Sequence, residues 1–137
     1  MCAVLTIRAD LVDAVVSHAR ADHPDEACGL VAMRDGRPTR VIQMTNVERS
    51  PTFYVMDPKE LFEAFKSMRD SGEDEDEFVI YHSHTATEAY PSRTDVSIAA
   101  YPDAHYVLVS TRDPVEVEFR SYRIVDGTVS EEPVSLV

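Results

Sequence analysis

The segment 78–95 constrains the fold more than any other part of the chain. Residues 78–81 form an apolar run typical of a strand, and His82-Ser83-His84 follows it directly. If the strand continues to His84, side chains two residues apart point to the same face, so both imidazoles can converge on one metal ion. Asp95 then needs only one loop to close the site. The segment therefore predicts a zinc site of a kind suited to hydrolysis.

A plainer interpretation exists for the histidine pair, which could form the polar face of a solvent-exposed edge strand. The downstream Asp95 and the hydroxyl of Ser92 favour a coordinated site instead, because they add an anionic ligand and a donor within one short segment. The remaining histidines have no comparable set of potential ligands near them in the sequence. We interpret His18 as a helix-surface residue, His23 as a helix-end residue and His105 as a strand residue without an assigned role.

Length and composition restrict the class of protein. A chain of 137 residues with 44% hydrophobic content predicts one domain over residues 1–137 with a real core. The net charge of −12 argues against nucleic-acid partners, which need clustered Lys and Arg. No apolar run is long enough for a bilayer and no signal-like start is present, so we expect no membrane association and a cytoplasmic location. Cys2 and Cys28 are too few for a disulfide framework; one bridge stays possible, with reduced thiols as the default.

Strands and helices alternate along the chain without an internal repeat, which predicts an α/β fold with both long helices packed on the sheet. The second helix should bury Leu61, Phe62, Phe65 and Met68, and the five carboxylates of 73–77 should form a solvated loop. A change of alternation near Ser121 predicts a β-bulge. The predicted elements are a strand over 3–7, a helix capped by Asp10, strands over 27–33 and 39–47 joined by Asp35-Gly36, a helix opened by Asp57-Pro58, the strand that ends at His84, a helix from Ser92 through Ala100, a strand over 104–110, and two last strands joined by Asp126-Gly127.

Other chemistries fail on residue types or spacing. Four glycines cannot supply a phosphate-cradling loop or a dinucleotide fingerprint. A zinc deaminase needs paired cysteines after its histidine motif, but both cysteines precede His82. The helical zinc-protease motif of two histidines around a Glu is absent as well. Cys28 has apolar neighbours on its C-terminal side, which favours a buried structural thiol over a nucleophile.

Three motifs together resemble the JAMM, or MPN-plus, metallopeptidases. They are Pro24-Asp25-Glu26-Ala27-Cys28-Gly29-Leu30, His82-Ser83-His84-Thr85 and Pro91-Ser92-Arg93-Thr94-Asp95. The family has a Glu at the start of a strand, a His-x-His, a Ser eight residues after the second His and an Asp three residues after that Ser. This chain fits every offset. The resemblance implies a single JAMM/MPN domain with the family's cytidine-deaminase-like fold, a mixed central sheet flanked by helices.

Within that family the second and third motifs are most similar to the actinobacterial Mec branch, whose members hydrolyse cysteine from a ubiquitin-like sulfur-carrier protein. The resemblance implies one Zn²⁺ per chain held by His82, His84 and Asp95, with Glu26 as general base and Ser92 as oxyanion donor. Glu26 could otherwise be a surface carboxylate, and Ser92 a helix cap and nothing more. The implied substrate is a carrier with a C-terminal Gly-Gly-Cys, cleaved to release cysteine for cysteine biosynthesis; a homodimer would be in keeping with this branch.

Two alternatives stay open at this point. Thr85 stands where many deubiquitinating members have Pro, and large ubiquitin-gripping insertions are absent, which favours a small bacterial-type enzyme. A deconjugating isopeptidase acting on another ubiquitin-like protein would still use the same residues. Metal-free relatives of the fold act as non-catalytic scaffolds, but these typically lose the ligand set that is intact here.

Overall fold

The structure is a computed structural model that describes residues 4–137. Its elements in chain order are β1 (Leu5–Ile7), α1 (Ala9–Asp22), β2 (Cys28–Arg34), β3 (Arg37–Met44), α2 (Pro58–Asp70), β4 (Glu77–His84), α3 (Arg93–Ile98), β5 (His105–Ser110), β6 (Glu118–Val125), β7 (Thr128–Glu132) and β8 (Val134–Leu136).

Six strands form one mixed sheet in the order β3-β2-β4-β5-β6-β7. The pair β4 and β5 is parallel, and the connection between them carries α3; the other neighbours are antiparallel. A parallel pair needs such a crossover, whereas antiparallel neighbours can be joined by tight turns. The first and last strands, β1 and β8, make a separate parallel pair. The predicted α/β class with a mixed sheet flanked by helices is confirmed.

Each face of the large sheet packs against its own hydrophobic core. Val79 and Tyr81 of β4 belong to the core under α1, which also contains Leu11, Val15 and Ala19 of that helix. Ile80 belongs to the core on the opposite face, together with Ala64 of α2. Because side chains alternate across a strand, His82 and His84 share the face of Ile80, where α2 and α3 lie. The two long helices, α1 and α2, therefore pack on opposite faces of the sheet, and the prediction that both pack on the sheet is confirmed.

The helix ends follow local chemistry in two of three cases. Asp57 caps α2 by accepting bonds from the amides of Lys59 and Glu60, and Pro58 occupies the first helical position. The predicted cap of α1 was wrong, because α1 begins at Ala9 with Arg8 at the cap position, and Asp10 lies inside the first turn. Its carboxylate bonds the Arg8 guanidinium instead of a backbone amide. The α3 helix ends at Ile98 and so is shorter than expected.

Three further expectations need correction. The Phe62 side chain is 68% exposed, since Ala64 and Met68 supply the fully buried face of α2. The acidic stretch is only partly solvated, because Glu75 is buried and bonds Arg40 and Thr39. No bulge occurs at Ser121, where the register with β5 is continuous.

The change of alternation in β6 comes from its two buried faces, since Phe119 contacts one core and Tyr122 and Ile124 the other. Strand bounds also shift. The expected strand over 39–47 lies at Arg37–Met44, and the first strand begins at Leu5, with Ala3 outside the described residues. After the turn at Asp126-Gly127 the chain forms two short strands, β7 and β8.

His18 is buried in the core and does not lie on the helix surface as expected. It sits in a cluster with Tyr81, whose hydroxyl is 2.6 Å from His18 Nδ1, while Nε2 is 3.2 Å from the Asp22 carboxylate. Burial lowers the pKa of His18, so the neutral ring can donate to Asp22 and accept from Tyr81. A Cβ at Gly29 would overlap the Tyr81 ring, which explains why glycine stands there. Among the described residues, no helix is long and apolar enough to cross a membrane.

Candidate metal centre

Strand pairing brings the two distant motifs together. Cys28 of β2 pairs with His82 of β4 in an antiparallel register, and continuing this register places Glu26 opposite His84. Ala27 and Ser83, the pair between these two, are joined by two hydrogen bonds. Ser83 Oγ accepts from the amide of Ala27 at 2.8 Å, and the Ser83 amide donates to the Ala27 carbonyl at 3.0 Å. Ser83, the residue between the histidines, thereby fixes the backbone next to Glu26.

A capping box positions Asp95 at the start of α3. The Asp95 amide donates to Ser92 Oγ at 3.0 Å, and the Ser92 amide donates to Asp95 Oδ2 at 2.8 Å. This reciprocal pair satisfies two amides that a helix start would otherwise leave without partners. It also holds the Asp95 carboxylate toward β4, so the spacing of three between Ser92 and Asp95 serves the metal site as well as the helix start.

The ligand atoms of His82, His84 and Asp95 converge. One such atom from each residue lies within 4.8 Å of the others, and Asp95 Oδ2 is 3.2 Å from His82 Nε2 and 3.0 Å from His84 Nε2. Donors bound at about 2.0 Å to one tetrahedral ion are about 3.3 Å apart, so this spacing suits a zinc-sized ion. His82 Nε2 is also fully buried, and although Asp95 Oδ2 lies 3.2 Å away the two atoms are not aligned for a hydrogen bond, as suits two ligands of one cation. The three residues form a candidate metal site.

The protonation states of His82 and Asp95 suit metal binding. Burial lowers the pKa of His82, which favours the neutral imidazole that ligates metals. Burial acts against ionisation of Asp95, but the facing imidazoles outweigh it and hold the pKa of this carboxyl below its usual range. A hydrogen bond on the side away from the site orients the His84 ring. Its Nδ1 donates to the Glu88 carbonyl at 3.0 Å, which leaves Nε2 free to bind a metal.

Glu26 is a buried carboxyl beside this cluster. Its side chain is 5% exposed, and burial raises its pKa to about 7, with Asp95 adding to the shift and His84 opposing it. Its backbone is tied down on both sides, since its amide donates to Ser50 and its carbonyl accepts from Asn46. A carboxyl whose pKa lies near neutrality is suited to take and return a proton.

Ser92 is exposed at the mouth of the site. Its Oγ accepts the Asp95 amide, and this bond uses an oxygen lone pair while leaving the hydroxyl proton available. Capping and donation to a substrate oxygen are therefore compatible at this residue. Cys28 lies in the core, where burial raises the pKa of its thiol to about 12, as expected for a structural thiol. Cys2 lies outside the described residues.

Two residues of the site, Tyr54 and Asn46, were not predicted from the sequence. Tyr54 stacks on the His82 ring, with centroids 4.4 Å apart and planes inclined by 27°. Asn46 is buried and bonds backbone groups on both sides of Tyr54 as well as the carbonyl of Glu26. Neither residue belongs to a motif, and both reach the site through a loop whose path no local pattern indicates.

Comparison with known proteins identifies the family. Residues 8–125 match the family described as prokaryotic homologs of the JAB domain. The chain belongs to the JAB/MPN family. A relative from Mycobacterium tuberculosis, named CysO-cysteine peptidase, is 66% identical over 136 residues, which cover 98% of this chain and 92% of that protein. Family membership together with this relative makes the chain a hydrolase of the peptidase class.

Solved structures of similar chains agree with the fold. A protein from Desulfitobacterium hafniense superposes with a TM-score of 0.83 at 34% identity, covering 98% of this chain and 93% of its own. A JAB1/MPN domain protein from Archaeoglobus fulgidus gives a TM-score of 0.60 at 18% identity, with coverage of 96% and 98%. The JAB/MPN architecture therefore extends over nearly the whole chain.

Proposed function

We propose that this chain is a zinc-dependent peptidase that hydrolyses the amide bond between the C-terminal Gly of a ubiquitin-like sulfur-carrier protein and a cysteine. The released cysteine would enter cysteine biosynthesis. The observation that carries the proposal is the convergence of His82, His84 and Asp95 beside the buried carboxyl of Glu26. The identity to the mycobacterial CysO-cysteine peptidase supports the substrate class. We assign the activity to one domain over residues 1–137.

The donor set fits one zinc ion per chain. Two neutral imidazoles and one carboxylate are a common three-residue set for catalytic zinc, which keeps the fourth position open. The buried Nε2 of His82, which lacks an aligned hydrogen bond, supports this assignment, because a bound cation would satisfy it. When bound, zinc would supply Lewis acidity that polarises the scissile carbonyl and makes hydroxide accessible near pH 7.

Glu26 acts as the general base in this proposal. It takes a proton from the attacking water and later passes that proton to the amine of the departing cysteine. Its location opposite His84, on the ligand-bearing face of the sheet, supports a role beside the metal ligands. Its raised pKa keeps the proton affinity high enough to accept and low enough to return the proton near neutrality.

Ser92 donates its hydroxyl to the oxygen of the scissile carbonyl as negative charge develops there. The capping bond fixes Oγ at the helix start, so little reorganisation is needed during the reaction. A glycine before the scissile bond suits this arrangement, because an extended glycine tail brings its carbonyl close to buried residues without a side chain in the way. Large residues at that position would be rejected by contact with the protein.

The decisive experiment measures mass. The protein is incubated with a sulfur carrier ending in Gly-Gly-Cys, and intact-mass spectrometry follows the carrier. We expect loss of one cysteine residue, with no loss in a Glu26→Gln reaction and full loss with the neighbouring Asp25→Asn control. A carrier that keeps its terminal cysteine would contradict the substrate assignment. Cleavage of an isopeptide-linked ubiquitin-like conjugate in its place would favour the deconjugating alternative, and absence of bound zinc in protein purified without chelator would favour a scaffold.

A further inference from the structure

The two histidines of the candidate metal centre are supported differently. His84 receives the usual second contact of a metal-binding histidine, a hydrogen bond from Nδ1 to a backbone carbonyl, that of Glu88 at 3.0 Å. Among the residues that the structure describes, none makes a corresponding backbone hydrogen bond to His82, whose charged form is favoured only by Asp95 on the metal side of the ring. An imidazole without such a bond can rotate about its Cβ–Cγ bond, and this freedom weakens metal binding.

The Tyr54 ring occupies the face of the His82 ring. The centroids are 4.4 Å apart and the planes are inclined by 27°, so the rings are stacked and not edge-on. Rotation of the imidazole out of its plane would collide with the phenol ring and lose this contact. The contact is therefore one of packing.

Asn46 fixes the segment that carries Tyr54. The Asn46 side chain spends all of its hydrogen-bonding capacity, since Nδ2 donates to the carbonyls of Glu26 and Phe53 and Oδ1 accepts from the amides of Glu48 and Val55. The bonds to Phe53 and Val55 lie on either side of Tyr54. Val55 also accepts from the amide of Val47 at 3.0 Å. The Tyr54 backbone is thus held at fixed distance from the Glu26 backbone.

We propose that Tyr54 is a positioning residue that holds the imidazole of His82 in its metal-binding orientation by stacking, in place of the hydrogen bond that orients His84. This inference rests on the metal site of the proposed function. It goes beyond that function because it assigns a role to a residue outside the three motifs. It also predicts that an aromatic ring, and not the hydroxyl, is what position 54 requires.

The test compares Tyr54→Phe and Tyr54→Leu, with Phe65→Leu as control. Phe65 packs against the same core, and its aromatic neighbours among the described residues are Phe78 and Tyr101, with ring centroids 5.2 and 6.3 Å away. The Zn²⁺ affinity of each full-length variant is measured by competition with a chelator, and the visible spectrum of the Co²⁺-substituted protein reports the ligand geometry. We expect Tyr54→Leu to bind Zn²⁺ about 10–100-fold more weakly with an altered Co²⁺ spectrum. Tyr54→Phe and Phe65→Leu should stay within about twofold of the unaltered protein.

Three results would overturn the proposal: unchanged Zn²⁺ affinity in Tyr54→Leu, an equal loss in Phe65→Leu, or a loss in Tyr54→Phe as large as in Tyr54→Leu. If Tyr54→Leu does not fold, a crystal structure of the zinc-loaded protein decides instead, with the Tyr54 ring expected against His82 and a ring turned away counting against it. Failure of the proposed function would look different. If the unaltered protein binds zinc but leaves the carrier intact, the substrate assignment is wrong, whereas the role of Tyr54 at the metal site is unaffected.

Discussion

At the residue scale, Glu26 shows a conflict between stability and reactivity. Burying a carboxyl beside Asp95 disfavours its charged form and raises its pKa to about 7. Above that pH the ionised Glu26 lowers the free energy of unfolding of the chain. The same shift makes the carboxyl a competent proton carrier near neutrality. Local destabilisation of this kind is typical of catalytic positions.

The first prediction concerns turnover. Glu26→Gln keeps the shape of the side chain but removes the base, so we expect kcat/KM to fall by about 10²–10⁴-fold while zinc content is unchanged. Kinetics with the carrier substrate and metal analysis on the same sample check both parts. Asp25→Asn, one residue earlier, should retain activity. Turnover close to normal in Glu26→Gln would refute the assigned role.

The second prediction concerns the stability of chelator-treated protein. Because the pKa of Glu26 is raised from 4.5 to about 7, the folded state binds its proton more tightly than the unfolded state does. Its contribution to stability is complete below pH 4.5 and is lost as pH rises through 7. Glu26→Gln should therefore equal the unaltered protein in acid and exceed it by about 3 kcal/mol above pH 7. Urea unfolding of both proteins across this pH range measures the difference in unfolding free energy. A difference that does not change with pH would be inconsistent with a buried Glu26.

The third prediction concerns Asp95. Asp95→Ala removes one of three ligands, and two imidazoles alone leave too few donors for tight binding. We expect zinc per chain to fall to near zero after dialysis, as measured by atomic emission. Glu63→Ala, an exposed carboxylate on α2, should keep full zinc. Full occupancy in Asp95→Ala would show that the metal is held elsewhere.

At the scale of elements, local signals predicted structure wherever a few neighbouring residues decide it. The Asp57-Pro58 start of α2 and the turns at Asp35-Gly36 and Asp126-Gly127 were correct, because caps and positive φ angles are satisfied within four residues. The Phe62 side chain and the supposed bulge at Ser121 were wrong, because both depend on which core lies over which face. That information is tertiary and no periodicity carries it.

The fourth prediction concerns a buried carboxylate that joins three strands. Glu132 of β7 contacts His105 of β5 and accepts from Ser121 Oγ of β6 at 2.7 Å. Burial opposes its ionisation, but these bonds outweigh it and lower the pKa of Glu132. Glu132→Gln should cost about 2 kcal/mol at neutral pH. The neighbouring Glu131→Gln, which breaks only a surface pair with Arg120, should cost less than about 1 kcal/mol. Equal losses in chemical denaturation would remove the special role of Glu132.

At the scale of the whole molecule, sequence spacing accounts for part of the site and topology for the rest. His82, His84 and Asp95 lie within one short segment, so a strand followed by a capped helix suffices to bring them together. Glu26 reaches them through the antiparallel pairing of β2 with β4, which only the family resemblance indicated. Tyr54 could not be predicted at all, since its place depends on the hydrogen bonds that fold one loop around a single asparagine.

The central claim is that a metal ion binds between His82, His84 and Asp95, and crystallography at the zinc absorption edge tests it most directly. Crystals of protein purified without chelator should give one anomalous difference peak per chain, within about 2.0–2.2 Å of His82 Nε2, His84 Nε2 and an Asp95 oxygen. The Glu26 carboxylate should lie outside bonding distance of that peak. A peak at another set of residues, or none after soaking in Zn²⁺, would contradict the account.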